Sequence, residues 1–179
     1  MISPVKREPQ ALQEYQRRLN EALADVASNT DAVIALSIDN EGWLVSLSDL
    51  SETSICPVIA KTGAMPFGIL GVGNFRGKVN TIISMPQLLN KEVGEMKGSG
   101  WATVLHPRFG ASLALWWPKM MGLFPRSDFT KHTSSPLPTA ARSSWISADA
   151  RVWHELDTDR LLRDRLGLGD ASQEMTDGN

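Results

Sequence analysis

The sequence predicts an all-β core with a helix near each end. Short apolar stretches rich in β-branched residues recur along the chain, and turn-forming residues separate them. This pattern gives roughly nine or ten short strands. Strands do not alternate with long helices, as they would in an α/β fold. The chain has 179 residues, enough for one domain with a sizeable core.

Composition and charge exclude several classes of protein. The apolar fraction of 42% and the charged fraction of 21% are typical of a soluble globular domain. The net charge of −2 argues against a dedicated nucleic-acid binder. No apolar stretch is long enough to span a bilayer, so we expect a cytoplasmic protein without direct membrane insertion.

The first predicted element is a helix over residues 9–27. Its apolar residues recur at helical spacing and form one stripe: Leu12, Tyr15, Leu19, Leu23 and Val26. We therefore expect three parts: a helical arm over 1–30, a domain over 31–168 and a disordered acidic tail over 169–179. The arm either packs on the domain, or docks a partner or a second copy of the chain.

The domain begins with a predicted hairpin over residues 32–47, with turn chemistry at 39–42. A strand over 53–59 follows, and Pro57 indicates an edge or a bulge there. Residues 66–70 are expected to form a short helical turn, since proline suits the start of a helix.

The middle of the chain predicts further strands. A strand over residues 78–84 leads into a short helix over 86–89, and two more strands follow over 101–106 and 111–116. Residues 120–124 fit either another strand or one helical turn.

The last third combines a predicted loop with a predicted helix. Residues 125–143 are rich in Pro, Ser and Thr, so we expect a long surface loop or insertion there. Asp157 and Gly167 are suited to begin and end a C-terminal helix. Ahead of the loop, Trp116 and Trp117 should face opposite ways on a strand, which leaves one of them pointing outward as an interface anchor or buried under a loop.

Candidate chemistry centres on the stretch from Gly71 to Gly77, which holds three glycines, Asn74, Phe75 and Arg76. Its glycines suggest a phosphate cradle, but the next segment predicts a strand where a nucleotide site needs a helix. An arginine in this apolar neighbourhood needs a partner of opposite charge.

Other reactive groups form no recognisable motif. The three histidines lack metal-ligand spacing, and no nucleophile motif is found, so we expect no metal, no cofactor and no catalytic residue. The single cysteine, Cys56, is either a reactive thiol or a small buried apolar residue, and its position between Ile55 and Pro57 favours burial.

The run Asn74-Phe75-Arg76-Gly77, preceded by Pro66 and Gly71 and followed by an apolar strand, resembles the signature of CheW-like domains. The resemblance implies two small five-stranded SH3-like barrels around a shared core. It also implies a non-enzymatic scaffold that couples the cytoplasmic tip of a chemoreceptor to a CheA-type histidine kinase.

The resemblance assigns partner-binding roles to five residues. Glu52 lies 24 positions before Arg76, as in the family, and implies an ion pair with it that shapes the partner-facing surface. Asn74, Phe75 and Gly77 would supply the surrounding contact geometry. One departure is Ser84, which stands where the family usually has an aspartate.

The C-terminal segment over residues 152–157, followed by a leucine-rich helix, resembles PilI-type proteins of the chemosensory system that controls type IV pilus twitching. Two alternatives stay open. One is an enzyme that binds a small molecule or nucleotide through residues 71–77, and the other is a barrel that binds single-stranded nucleic acid through exposed Trp and Arg.

Overall fold

A computed structural model of the chain describes residues 31–61, 63–91, 100–110, 112–133 and 136–168. The predicted arm over 1–30 and the predicted tail over 169–179 lie outside the described residues.

The described residues form eleven strands and two α-helices. In chain order they are β1 (Ala32–Ile38), β2 (Glu41–Ser46), β3 (Leu50–Ile55), β4 (Ile69–Phe75), β5 (Lys78–Ser84), α1 (Met85–Leu88), β6 (Trp101–Leu105), β7 (Leu113–Trp117), β8 (Lys119–Pro125), β9 (Phe129–His132), β10 (Ala141–Ser147), β11 (Val152–Leu156) and α2 (Thr158–Leu166).

The strands make two sheets, which confirms the predicted all-β core with a terminal helix. The first sheet has the order β8-β1-β2-β11-β10-β9, and the second has the order β3-β6-β7-β5-β4. The second sheet has the expected five strands, whereas the first has six. The chain leaves the first sheet after β2, builds the whole second sheet, and returns at β8.

A backbone contact joins the two edges of the second sheet. Beyond β3, Ala60 exchanges two hydrogen bonds of 2.9 Å with Val72 of β4. Gly71 permits this approach: its φ is +145°, and a Cβ there would clash with the Ala60 carbonyl oxygen and lie 2.6 Å from Cγ2 of Ile59. The second sheet therefore wraps around its own apolar interior.

Buried side chains form three clusters. The largest lies between the sheets and draws on both of them and on both helices, with Trp43, Ile83, Met85, Trp117 and Leu161 among its members. The second fills the interior of the second sheet around Phe75, Ile82 and Trp116. The third lies on the opposite face of the first sheet, around Val33, Leu44, Phe129 and Trp153.

Of the two alternatives for the outward-facing tryptophan of the Trp116–Trp117 pair, the structure shows burial and not an exposed interface anchor, although apolar clusters cover the rings instead of a loop. Trp116 is 4% exposed inside the second sheet, and Trp117 is fully buried between the sheets. The two rings do face opposite ways, but both faces of β7 are covered by apolar clusters. The indole N–H of Trp117 donates a 3.1 Å hydrogen bond to the Thr103 hydroxyl.

Two local predictions are wrong. The Ile69 N–H donates a 3.1 Å hydrogen bond to the Pro66 carbonyl and closes a turn, but residues 69–70 belong to β4 instead of a helical turn, because Ile69 pairs with Ile83 of β5. In the predicted loop over 125–143, β9 and the start of β10 form, and Phe129, Ala140 and Ala141 are buried. These few apolar residues are enough to hold the segment in the sheet, because the neighbouring strands and α2 supply the rest of the core.

Other segments form as expected. The first hairpin is present as β1 and β2, and residues 120–124 form a strand as part of β8. The Asp157 carboxylate accepts a 3.1 Å hydrogen bond from the Arg160 backbone N–H at the start of α2, and Gly167 ends the helix at φ +65°.

Asp49 connects the second sheet to α2. It lies on a 3-10 turn between β2 and β3. Its buried carboxylate accepts hydrogen bonds from the Arg108 guanidinium and, at 2.7 Å, from the Thr158 hydroxyl at the start of α2. Its backbone carbonyl accepts a 2.8 Å hydrogen bond from His106 N–H.

We expect Asp49→Ala to lower the free energy of unfolding by about 3 kcal/mol, because it leaves the buried Thr158 hydroxyl and the Arg108 guanidinium without their acceptor. Urea denaturation measures the change. The exposed Asp128, on the turn before β9, gives the control: Asp128→Ala should change stability by less than about 0.5 kcal/mol. Equal stability of the two variants would show that Asp49 has no such role.

We expect Gly71→Ala to cost about 2 kcal/mol or more, since the added methyl group must push Ala60 away from β4. Gly77→Ala serves as the control, because Gly77 has φ +85° but nothing within 4 Å of its would-be Cβ. Its cost should stay near the backbone penalty of about 1 kcal/mol. If the Gly71→Ala protein is as stable as the Gly77→Ala protein, the backbone near Ala60 can move away from β4 at little cost, and the expectation is wrong.

Candidate functional site

The candidate site is built on the hairpin between β4 and β5, where Phe75 pairs with Lys78 across a two-residue turn. Arg76 has φ +49° and Gly77 φ +85°, as a type I′ turn requires. A non-glycine residue other than Asn or Asp is uncommon in this left-handed region. The side-chain oxygen of Asn74 accepts a 2.7 Å hydrogen bond from Gly77 N–H, which stabilises the turn.

The structure brings Glu52 and Arg76 together across the second sheet. Nε of Arg76 lies 3.3 Å from Oε1 of Glu52, although β3 and β4 are at opposite ends of the strand order. The Arg76 side chain is 84% exposed and the Glu52 side chain is 18% exposed. The turn therefore projects Arg76 into solvent, and Glu52 is the more buried partner of the pair.

The five predicted site residues have different surroundings. Asn74, Arg76 and Gly77 are exposed on the turn, and Glu52 is partly buried beside it. Phe75 is only 4% exposed and packs in the interior of the second sheet, so most of its ring is covered by the protein itself.

A cleft of about 480 Å³, which we call the mouth cleft, opens where these elements meet. Its lining includes Glu52, Phe75, Arg76, Lys78, Asn80 and Val104. Acidic, basic and amide groups therefore meet at one end of an apolar interior.

Sequence reasoning missed Asn80, which is 5% exposed and lines the mouth cleft. Its side-chain nitrogen donates a 3.3 Å hydrogen bond to the Lys78 carbonyl oxygen. The signal was available, because Asn80, Ile82 and Ser84 occupy alternate positions of β5, and all three side chains are buried. A polar residue at the first of these positions marks the end of the apolar interior.

Ser84, where the resemblance leads one to expect aspartate, is fully buried at the start of α1. Its hydroxyl accepts a 3.4 Å hydrogen bond from Gln87 N–H. Serine and aspartate are comparably favoured at this capping position. The replacement therefore preserves a helix cap and removes no exposed charge.

The remaining candidate chemistry is sparse in the part of the chain that the structure describes. Cys56 is 5% exposed, as predicted, and burial raises the pKa of its thiol to about 11, which makes it a poor nucleophile at neutral pH. Residues 71–75 lie on β4, and β5 follows the turn, so this stretch has no helix N-terminus to hold a phosphate. Among the described residues, no group of three His, Cys, Asp or Glu residues is suitably placed for a metal ion.

A second cavity, of about 500 Å³, lies beside the first hairpin and is lined by Glu41, Lys91 and His154 among others. Lys91 Nζ lies 2.6 Å from Oε2 of Glu41. Burial lowers the pKa of His154, which favours its neutral form at pH 7. The sequence assigned no site residue to this cavity.

We expect Arg76→Asn to change the free energy of unfolding by no more than about 1 kcal/mol, because an exposed ion pair contributes little and Asn suits the left-handed turn. Arg126→Asn is the matched comparison. Arg126 is 15% exposed and lies 2.6 Å from Asp31 and 3.0 Å from Glu155. Its loss should cost about 3 kcal/mol. A comparably large cost in both urea titrations would contradict a minor stabilising role for Arg76.

Comparison with known proteins supports the fold. The structure is similar to the crystal structure of the scaffolding protein TtCheW from Thermoanaerobacter tengcongensis, with a TM-score of 0.60 and 16% sequence identity over 74% of this chain and 92% of that chain. No protein-family profile and no curated protein matches the sequence. Neither helix in the described residues is long and apolar enough to cross a membrane. The chain therefore has the fold of a CheW scaffolding protein.

Proposed function

We propose that the protein is a non-enzymatic scaffold that couples the cytoplasmic tip of a chemoreceptor to a CheA-type histidine kinase. The observation that carries this proposal is the Glu52–Arg76 pair, at the mouth of the second sheet of a CheW-like fold. The resemblance of the sequence to CheW-like domains at these two residues points to the same role.

The conformation of the turn supports a role in binding. Arg76 occupies a backbone region that is unfavourable for arginine, and its side chain is 84% exposed. An exposed side chain of this kind contributes little to the stability of the fold. The free-energy cost of the left-handed backbone conformation is therefore better explained by a contact with a partner. Asn74 and Gly77 act through the turn, and Phe75 forms part of the wall of the mouth cleft.

The mechanism in this proposal is positional. The scaffold holds receptor and kinase together, so that a change in the receptor shifts the populations of active and inactive kinase. No group on the scaffold needs to form or break a covalent bond. The protein would work in the cytoplasm, without inserting into the membrane.

We further propose that the receptor and kinase belong to the system that controls type IV pilus twitching. The support is the PilI-like C-terminal segment, which forms β11 and α2. Val152 is 37% exposed on β11, whereas Trp153 and Leu156 are buried.

The alternative of a barrel that binds single-stranded nucleic acid loses its main support. All six tryptophans lie in the described residues, and none of them is exposed. Aromatic stacking on bases requires accessible rings.

We expect Arg76→Ala to reduce kinase activation and co-sedimentation with receptor-containing membranes by about tenfold, equivalent to roughly 1.4 kcal/mol of lost binding. Arg163→Ala is the control, since Arg163 is 63% exposed on α2, far along the chain from the turn. Unchanged activation and co-sedimentation by a folded Arg76→Ala protein would remove Arg76 from the proposed interface.

A double-mutant cycle with Glu52→Ala tests whether the two residues act together. We expect the effects of Arg76→Ala and Glu52→Ala on assembly to be non-additive, because each variant removes the same pair. Additive effects would mean that Glu52 and Arg76 contribute independently.

A further inference from the structure

We propose that the mouth cleft receives a basic side chain, preferably an arginine, from the bound partner. The inference rests on the proposed function and names the chemistry that this site recognises. Glu52 and Asn80 would bind the basic group inside the cleft, and Arg76 and Lys78 would bind an acidic neighbour at its rim.

Two hydrogen-bond acceptors in the cleft have spare capacity. The Glu52 carboxylate is 18% exposed, and within the described residues its ionic contact is Nε of Arg76 at 3.3 Å. Asn80 uses its side-chain nitrogen on the Lys78 carbonyl oxygen. Its side-chain oxygen accepts no hydrogen bond from the described part of the chain. Such partly buried acceptors favour a ligand that brings donors.

The charge differs between the inner end of the cleft and its rim, because the partly buried Glu52 carboxylate lies inside whereas Arg76 and Lys78 are exposed at the rim. A phosphate or carboxylate group pairs with the two rim cations, but a group bound between Glu52 and Asn80 must neutralise a carboxylate. An apolar group there would strip water from that charge without replacing its hydrogen bonds. A guanidinium carries five N–H donors and pairs with a carboxylate in a planar, bidentate geometry. Lysine offers the same charge without that geometry.

The walls of the cleft suit the stem of such a side chain. Phe75 and Val104 line the cleft and are 4% and 7% exposed. Arginine buries its methylene groups on apolar surface while its charged head keeps polar partners. The cleft volume of about 480 Å³ admits a single side chain together with part of the backbone that carries it.

Arg76 lies at the rim of the cleft and does not block it. Its side chain is 84% exposed and reaches Oε1 of Glu52 through Nε, so Arg76 can stay paired while incoming donors use the rest of the Glu52 carboxylate. Arg76 and the exposed Lys78 then present two cations beside the entrance. A partner segment that carries an acidic residue next to its basic one fits this charge pattern.

The test is a titration of the isotope-labelled, full-length protein with N-acetylargininamide, followed by NMR. We expect saturable shifts of the Asn80 side-chain amide and of the backbone amides around Glu52 and Gly77. N-acetylcitrullinamide has nearly the same shape without the charge, and we expect it to bind at least about tenfold more weakly. Equal responses to the two compounds, or unsaturable shifts spread over the surface, would overturn the proposal.

Variants separate binding from folding. We expect Glu52→Gln, which preserves size, to weaken binding of N-acetylargininamide by about tenfold. Asp159→Asn, on the exposed face of α2, should leave it unchanged. Asn80→Ser should weaken binding less, because the charge remains. Undiminished binding by a folded Glu52→Gln protein would also overturn the proposal.

The titration with N-acetylargininamide and the assembly experiment with receptor and kinase can fail separately. If the wild-type protein assembles with receptor and kinase in an Arg76-dependent way but does not bind N-acetylargininamide, only the inference about the cleft fails. If it binds the compound but its assembly is insensitive to Arg76→Ala, the proposed interface fails instead.

Discussion

The buried carboxylate of Asp49 fixes how the second sheet meets the C-terminal helix. Its donors come from different parts of the chain, the turn after β6 and the first residue of α2. A buried charge must be paired and hydrogen-bonded, so each of these segments has one favourable position relative to the others. The large apolar cluster between the sheets can then pack against α2 in a single arrangement.

This packing explains why two strands are buried on both faces. All seven residues of β1 and all five of β7 are buried, because each strand separates the central cluster from the interior of its own sheet. Strands that face solvent on one side alternate between apolar and polar residues, but strands enclosed on both sides do not. The mouth cleft lies where the interior of the second sheet ends and polar groups become accessible.

The sequence predicted the features that depend on local chemistry. The first hairpin, the caps of α2 and the position of Arg76 in a turn follow from residues close to one another in the chain. The burial of both Trp116 and Trp117 depends on what covers each face of β7, and a strand pattern carries no such information. Phe129 and Ala141 likewise form strands only because partners distant in sequence pair with them. The pairing of Glu52 with Arg76 came from the resemblance to a family, since the closure of the sheet that joins them is a long-range event.

In the order of the chain, all strands of the second sheet lie between β2 and β8 of the first sheet, and this order has a consequence for synthesis on the ribosome. Every strand of the second sheet lies between residues 50 and 117, whereas the first sheet needs strands up to Leu156. A growing chain thus offers a complete second sheet while the first is represented by a single hairpin. Because domains tend to fold as their residues emerge, the second sheet can serve as the template on which the later strands and α2 assemble.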